Sequence, residues 1–174
     1  MNKPPNFFLI GAMGAGKSTI GRHLAQALQW EFYDSDKEIE RNTGVSVAWI
    51  FDIEGEAGFR KREEAIIDEF SQRPRSILAT GGGAILSPLT RQRLTSRGTV
   101  IYLQVSIPQQ QDRVMRNQNR PLLQTANICE TLAKLQSERE PLYESLADWT
   151  FCTNNHSAVD ISQSILARIN DNNS

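Results

Sequence analysis

Sulfur and histidine are scarce in this chain, which carries two cysteines and two histidines in 174 residues. Cys129 and Cys152 lie far apart, without the short spacing of metal-ligand pairs, so neither a disulfide framework nor a zinc site is expected; buried, reduced thiols are. Long apolar runs are missing too. No stretch approaches the ~20 residues that cross a bilayer, and Met1-Asn2-Lys3-Pro4-Pro5 has no apolar signal region. No membrane partner and a cytoplasmic location are therefore expected. Nor is there an excess of charge, since 19 basic and 20 acidic side chains leave a formal −1. That balance gives no reason to expect nucleic acid as a partner. Internal repeats and low-complexity segments are absent as well. The length suits one domain with a real core, and a monomer is expected. A 39% apolar and 22% charged composition is ordinary for a folded globular protein.

What is present is concentrated at Gly11-Ala12-Met13-Gly14-Ala15-Gly16-Lys17-Ser18, followed by Thr19. The stretch fits the phosphate-loop pattern G-x-x-x-x-G-K-[ST]. The apolar run Phe7-Phe8-Leu9-Ile10 leads into it, and a helical pattern opens behind it. Glycines let successive backbone N–H groups converge, and the following helix adds its free N–H groups and positive dipole end. Lys17 is placed as a mobile charge for the β- and γ-phosphates, and the Ser18 hydroxyl as a ligand for Mg²⁺. Gly14, Ala15, Gly16, Lys17, Ser18 and Thr19 are the expected ATP-binding residues of this loop.

Around that loop the pattern alternates from end to end. Strands are expected at Phe7–Ile10, Trp30–Tyr33, Ser76–Thr80, Thr99–Val105 and Trp149–Thr153. Helices are expected from Lys17 to about Leu28, Lys37 to about Arg41, Glu54 to about Phe70, Pro88 to about Arg97 and Pro108 to about Asn117. Two more follow, from Ile128 to about Ala147 and from Ala158 to Ile169, with a short helical turn at Val47–Phe51. Ser35 or Asp36 is expected to cap the second helix, and Pro141 to interrupt the sixth. Apolar faces are assigned to Ile20, Leu24, Ala27 and Leu28, and to Ala57, Ala65, Ile66 and Phe70. Such alternation implies a parallel sheet covered on both faces with right-handed crossovers. Ligands gather at the carboxyl ends of strands in these folds. The phosphate loop, the Asp34–Asp36 pair and Gly81-Gly82-Gly83 all fall there.

Each of these has a chemical reading. Asp34 and Asp36, if extended, would point the same way; beside a triphosphate, one could hold a metal-bound water and the other a substrate hydroxyl. Three consecutive glycines cost backbone entropy, which suits close approach of a ligand to their N–H groups. Arg60 and Glu63 are three apart on one helical pattern and can pair. Arg60 and Arg139 together suggest bidentate recognition of a planar carboxylate, although either alone is compatible with a solvated helix face. Arg120 lies in the aperiodic segment Gln118–Asn127, either a surface loop or a lid carrying a guanidinium to the γ-phosphate. Arg113 could stack on adenine and His156 could edge the base. Neither His156 nor His23 is expected to be catalytic.

Taken in order, Gly11 to Thr19, Asp34-x-Asp36, Gly55-Glu56-x-x-Phe59-Arg60-x-x-Glu63, Gly81-Gly82-Gly83, Arg120-Pro121-Leu122-Leu123 and Arg139-x-Pro141-Leu142-Tyr143 resemble the shikimate kinases. These belong to the phosphate-loop, nucleoside-monophosphate-kinase-like group. The resemblance spans about Asn6 to Ile169. It implies a three-layer α/β/α fold with a five-stranded parallel sheet in order 2-3-1-4-5. Within that single domain it implies a substrate-binding helical region at about 35–62 and a lid at about 114–126. It implies transfer of the γ-phosphoryl of ATP to the 3-hydroxyl of shikimate, with Mg²⁺. Lys17, Asp36 and Arg120 would be catalytic. Asp36, Arg60, Gly81, Gly82, Gly83 and Arg139 would bind shikimate, Arg113 and Arg120 would join the loop at ATP, and Ser18 and Asp34 would serve the metal. Two features depart from the wider pattern. Thr80 stands where many phosphate-loop proteins have an acidic metal partner, and Asn154-Asn155-His156-Ser157 matches no strict base-binding motif. A gluconate-type or nucleotide kinase, or a nucleotide-dependent switch, are the alternative readings.

Overall fold

A computed structural model describes residues 5–116 and 127–174. Its order is β1 (Phe7–Ile10), α1 (Lys17–Leu28), β2 (Glu31–Asp34), α2 (Ser35–Thr43), α3 (Val47–Phe70), β3 (Ser76–Ala79), a 3-10 turn (Ala84–Leu86), α4 (Pro88–Arg97), β4 (Thr99–Gln104), α5 (Ile107–Met115), α6 (Ile128–Leu146), β5 (Trp149–Cys152) and α7 (Ala158–Asn172). The five strands form one sheet in the order β2-β3-β1-β4-β5. Every neighbouring pair is parallel, with Phe7 opposite both Ile77 and Thr99. The expected topology is therefore present.

Side-chain alternation divides the core into two layers. Phe8 and Ile10 of β1, with Val100 and Tyr102 of β4, face a cluster that includes Ile39, Phe59, Ile67, Leu94 and Tyr143. Phe7, Leu9, Ile101 and Leu103 face the opposite cluster, with Ile20 and Leu24 of α1 and Ile161 and Ile165 of α7. The central strands are apolar on both faces because helices cover both, as parallel sheets require. All strands end at the same rim, so whatever follows β1, β2 and β3 is gathered on one edge.

Several local expectations are corrected. The cap of α2 is Asp34, whose side chain accepts from the N–H groups of Asp36 and Lys37, not Ser35 or Asp36. The helix thus starts at Ser35, so Asp34 and Asp36 are not an extended pair: Asp34 accepts from the Ser18 hydroxyl, and Asp36 Oδ1 lies near Gly81. The two helical patterns at Val47–Phe51 and Glu54–Phe70 join into one run broken only at Gly55, whose φ of 71° and ψ of 179° only glycine adopts readily. Beyond that break Phe59 and Ile67 are buried, as are the expected Ile66 and Phe70, while Ala57 and Ala65 are exposed. On α1, Ala25 is buried and Ala27 exposed. Helix α6 runs through Pro141 without interruption. Pro141 and Ser137 are both exposed, so water can satisfy the carbonyl left without a partner. Both cysteines are free, as expected, but exposed: Cys152 stands on the open face of the edge strand β5.

Candidate active site

The donor half of the site is built by the turn from β1 into α1. Gly11, Gly14 and Gly16 have φ of 144°, 78° and 93°, left-handed values that curl the chain tightly. Gly16 caps α1 with no side-chain acceptor, which leaves the helix's first N–H groups to a ligand. Lys17 folds over the loop, its Nζ donating to the carbonyls of Gly11 (2.7 Å) and Ala12 (2.9 Å). The Ser18 hydroxyl donates to Asp34 Oδ2, so the hydroxyl behind the loop and the carboxylate ending β2 meet at one point. The Thr80 hydroxyl is turned away, donating to the Leu9 carbonyl inside the sheet.

Beside the loop opens a cavity of about 220 Å³ lined by Gly16, Thr19, Arg113, Thr153, His156 and Ser157, among others. Arg113 reaches it from α5 and bridges its two walls, donating to the carbonyls of Gly14 and Thr153, each at 3.0 Å. Asn154 accepts from the Ser106 N–H at 2.9 Å, and Ser157 forms a reciprocal cap with Asp160. The segment that matched no motif is thus a braced wall, with His156 on its cavity side.

The acceptor half lies on the other side of the loop. Two of the three glycines after β3 lie so close to side chains that a Cβ there would force those side chains to move. One added at Gly81 would stand 2.6 Å from Glu63 Oε2 and 3.1 Å from Asp36 Oδ1, and one at Gly83 only 2.2 Å from an Arg60 nitrogen. At Gly82 the neighbours would be Arg139 at 3.4 Å and the phosphate-loop backbone of Gly11 and Met13 at 3.6 Å. Asp36, Arg60, Glu63 and Arg139 therefore surround the glycines, one residue's width from the phosphate loop.

Arg60 donates to Glu63 at 2.8 Å and to Glu56 at 3.2 Å. Burial works against the Arg60 charge, but Glu63 and Glu56 more than offset it and raise its pKa. Burial pushes Glu63 up to about 7, against the pull of Arg60 and with help from Asp36. Among the described residues, Arg60 Nε, Arg139 Nε and Glu63 Oε2 are buried without hydrogen-bond partners. Such orphans are costly unless a ligand meets them. Two guanidinium donors wanting acceptors fit a carboxylate.

A sequence profile of the shikimate kinase family matches residues 13–170. The chain belongs to the shikimate kinase family. Shikimate kinase of Vibrio campbellii is 51% identical over 171 residues, covering 98% of this chain and 99% of that protein. That of Buchnera aphidicola is 54% identical over 173 residues, with the same shares covered. A structure of shikimate kinase from Acinetobacter baumannii in complex with shikimate aligns at a TM-score of 0.94 and 48% identity, covering 97% of this chain and 94% of that one. Deoxyadenosine kinase from M.mycoides, at 16% identity and a TM-score of 0.66, shares the fold alone.

Against the sequence expectations for a shikimate kinase, the structure brings Gly14 to Thr19, Arg113, Asp34, Asp36, Arg60, Gly81 to Gly83 and Arg139 onto one rim. Arg120 and most of the lid segment lie outside the described residues. Three contributors were not expected: Glu63 in contact range of Gly81, Ser35 accepting the Gly81 N–H at 3.0 Å, and Tyr143 donating to the Gly82 carbonyl. Glu63 and Tyr143 stand in the stretches that carried the resemblance, and Ser35 was expected only as a helix cap. The places of Ser35 and Tyr143 there depend on which strands are neighbours.

Proposed function

We propose that the chain transfers the γ-phosphoryl group of ATP to the 3-hydroxyl of shikimate, giving ADP and shikimate 3-phosphate, a step toward chorismate and the aromatic amino acids. The observation that carries this reading is the pair of buried, unpartnered nitrogens Arg60 Nε and Arg139 Nε, on guanidinium groups whose terminal nitrogens stand against Gly83 and Gly82 beside the phosphate loop. The two oxygens of a carboxylate can accept from both and match the positive charge of the two guanidinium groups. Asp36, at the same bracket, receives the acceptor hydroxyl and aims it at phosphorus.

On the donor side, N–H groups of Gly14 to Thr19 hold phosphate oxygens, with Lys17 swinging from the loop carbonyls onto the β- and γ-phosphates. Arg113 and His156 flank the base in the cavity between them. The residues also fit a divalent cation, for which we propose Mg²⁺. The Ser18 hydroxyl would ligate it and Asp34 would hold one of its waters. No cluster of three or more metal-ligating side chains occurs among the described residues, so phosphate and water would supply the other ligands. Bound there, the cation neutralises charge on the transferring group. Positioning and neutralisation are what phosphoryl transfer chiefly requires. We further assign the helical region 35–62 to acceptor binding, the segment 114–126 to a lid that presents Arg120, and the working form to a cytoplasmic monomer.

The test is ADP release from MgATP with shikimate, gluconate and nucleoside monophosphates offered separately. Turnover with shikimate alone is expected, and its absence would overturn the proposal.

A further inference from the structure

The bracket Gly81–Gly83 has no side chains of its own to hold its backbone, yet a backbone that meets a ligand must keep one orientation. Its polar groups are tied individually. The Gly81 N–H donates to Ser35 Oγ at 3.0 Å, and the carbonyls of Gly81 and Gly83 accept from the N–H groups of Ala84 and Leu86, each at 3.1 Å. The middle carbonyl, Gly82 O, takes its bond from another element altogether, the Tyr143 hydroxyl on α6.

That bond acts beyond the carbonyl. A trans peptide is planar, so Gly82 C=O and Gly83 N–H belong to one rigid unit and point in opposite directions. Holding the carbonyl aims the N–H. Between two glycines, no Cβ otherwise restrains this unit's rotation. Tyr143 itself is firmly held. It is 2% exposed, and its ring stacks on Tyr102 of β4 at 5.1 Å between centroids. It also follows Arg139 by one helical turn, on the same face of α6.

We propose that Tyr143 is a positioning residue for the carboxylate-bearing acceptor: its hydroxyl holds the Gly82–Gly83 peptide so that this N–H and the Arg139 guanidinium meet the acceptor as one fixed pair. The proposal rests on the acceptor reading above. Burial pushes the hydroxyl up to about 12, so it remains a donor at neutral pH.

Tyr143→Phe keeps the ring and its stacking and removes the hydroxyl, which holds the Gly82 carbonyl and also bonds the Arg139 side chain. Tyr102→Phe serves as the control, and steady-state kinetics in both substrates with thermal melts are the readouts. Loss of this buried hydroxyl should raise the KM for shikimate about five- to tenfold. The KM for ATP should stay within about twofold and kcat within about threefold, with a melt shifted by about 3 °C or less. Tyr102→Phe should match the wild type. An unchanged shikimate KM, a parallel rise in both KM values, or a collapsed melt would each overturn the proposal, because the hydroxyl would then serve no acceptor-specific end. A wild-type chain without shikimate turnover would overturn the acceptor reading and this proposal together. An active wild type with an indifferent Tyr143→Phe variant would overturn this proposal alone.

Discussion

Adding one methyl group to the glycine bracket should disable the acceptor clamp without unfolding the protein. Gly83 has φ −94° and ψ 2°, which alanine can adopt, so Gly83→Ala brings no backbone strain of its own. Its Cβ, however, would lie 2.2, 2.6 and 2.7 Å from three atoms of the Arg60 guanidinium. Something must move, and the end of a flexible side chain that is 22% exposed moves more cheaply than the sheet-anchored backbone. Arg60 would swing outward and leave Glu63. Because Glu63 already holds its proton up to about pH 7, it can neutralise instead of remaining as a lone buried charge. The stability loss should then be about 1–2 kcal/mol, a fall of roughly 3–6 °C in melting temperature. The catalytic loss should be larger. A charge-assisted guanidinium–carboxylate contact contributes about 1.5–3 kcal/mol, so the KM for shikimate should rise roughly 10- to 150-fold while that for ATP stays level. Kinetics in both substrates and a thermal melt check this. An unchanged shikimate KM would refute the reasoning, and so would a melt lowered by more than about 10 °C, since the backbone would have yielded instead of Arg60.

Three further outcomes follow from the same arrangement. Arg139→Lys keeps the charge but loses the planar fork, so it should weaken shikimate binding far more than ATP binding; equal losses in titrations of the two ligands would argue against a clamp. Glu63 binds its proton more tightly folded than unfolded, its pKa rising from 4.5 to about 7, so its contribution to stability is lost as pH rises between those values. Melts should therefore show the wild type losing more stability than Glu63→Gln from about pH 5 to about pH 7.5, and parallel curves would contradict this. Gly21→Ala should destabilise by about 1–3 kcal/mol in denaturant titration, because its Cβ would fall 2.5 Å from the Phe32 ring and 3.2 Å from Leu9; an unaltered midpoint would be wrong for this packing.

The parts of this fold that the sequence made legible are those set by local pattern. β1, β3 and β4 read as short apolar runs because they are buried on both faces, and the phosphate loop read as a loop because its glycines and lysine each have a local task. Gly55 was read as part of the helix from Glu54, so its break went unnoticed, and Ala57 and Ala65 were assigned to the wrong side. Asp34 and Asp36 would point the same way only in an extended chain, and nothing in their spacing announces that Asp34 caps α2 and turns the chain. Tyr143 and Ser35 reach the glycine bracket from 61 and 46 residues away. Their positions there follow from α6 packing over β4 and from β2 pairing with β3, which only the assembled sheet reveals. Buried polar atoms without partners belong to the same class, since burial is a property of the whole fold.

The claim on which the account depends is that Arg60, Arg139 and the glycine bracket select the acceptor by its carboxylate. It is tested most directly by comparing kcat/KM for shikimate and for its carboxamide, which keeps the ring and hydroxyls and removes the negative charge. Removing the charge that both guanidinium groups meet predicts a drop of about 100-fold or more, with the KM for ATP unchanged. Equal kcat/KM for the two acceptors would contradict the account.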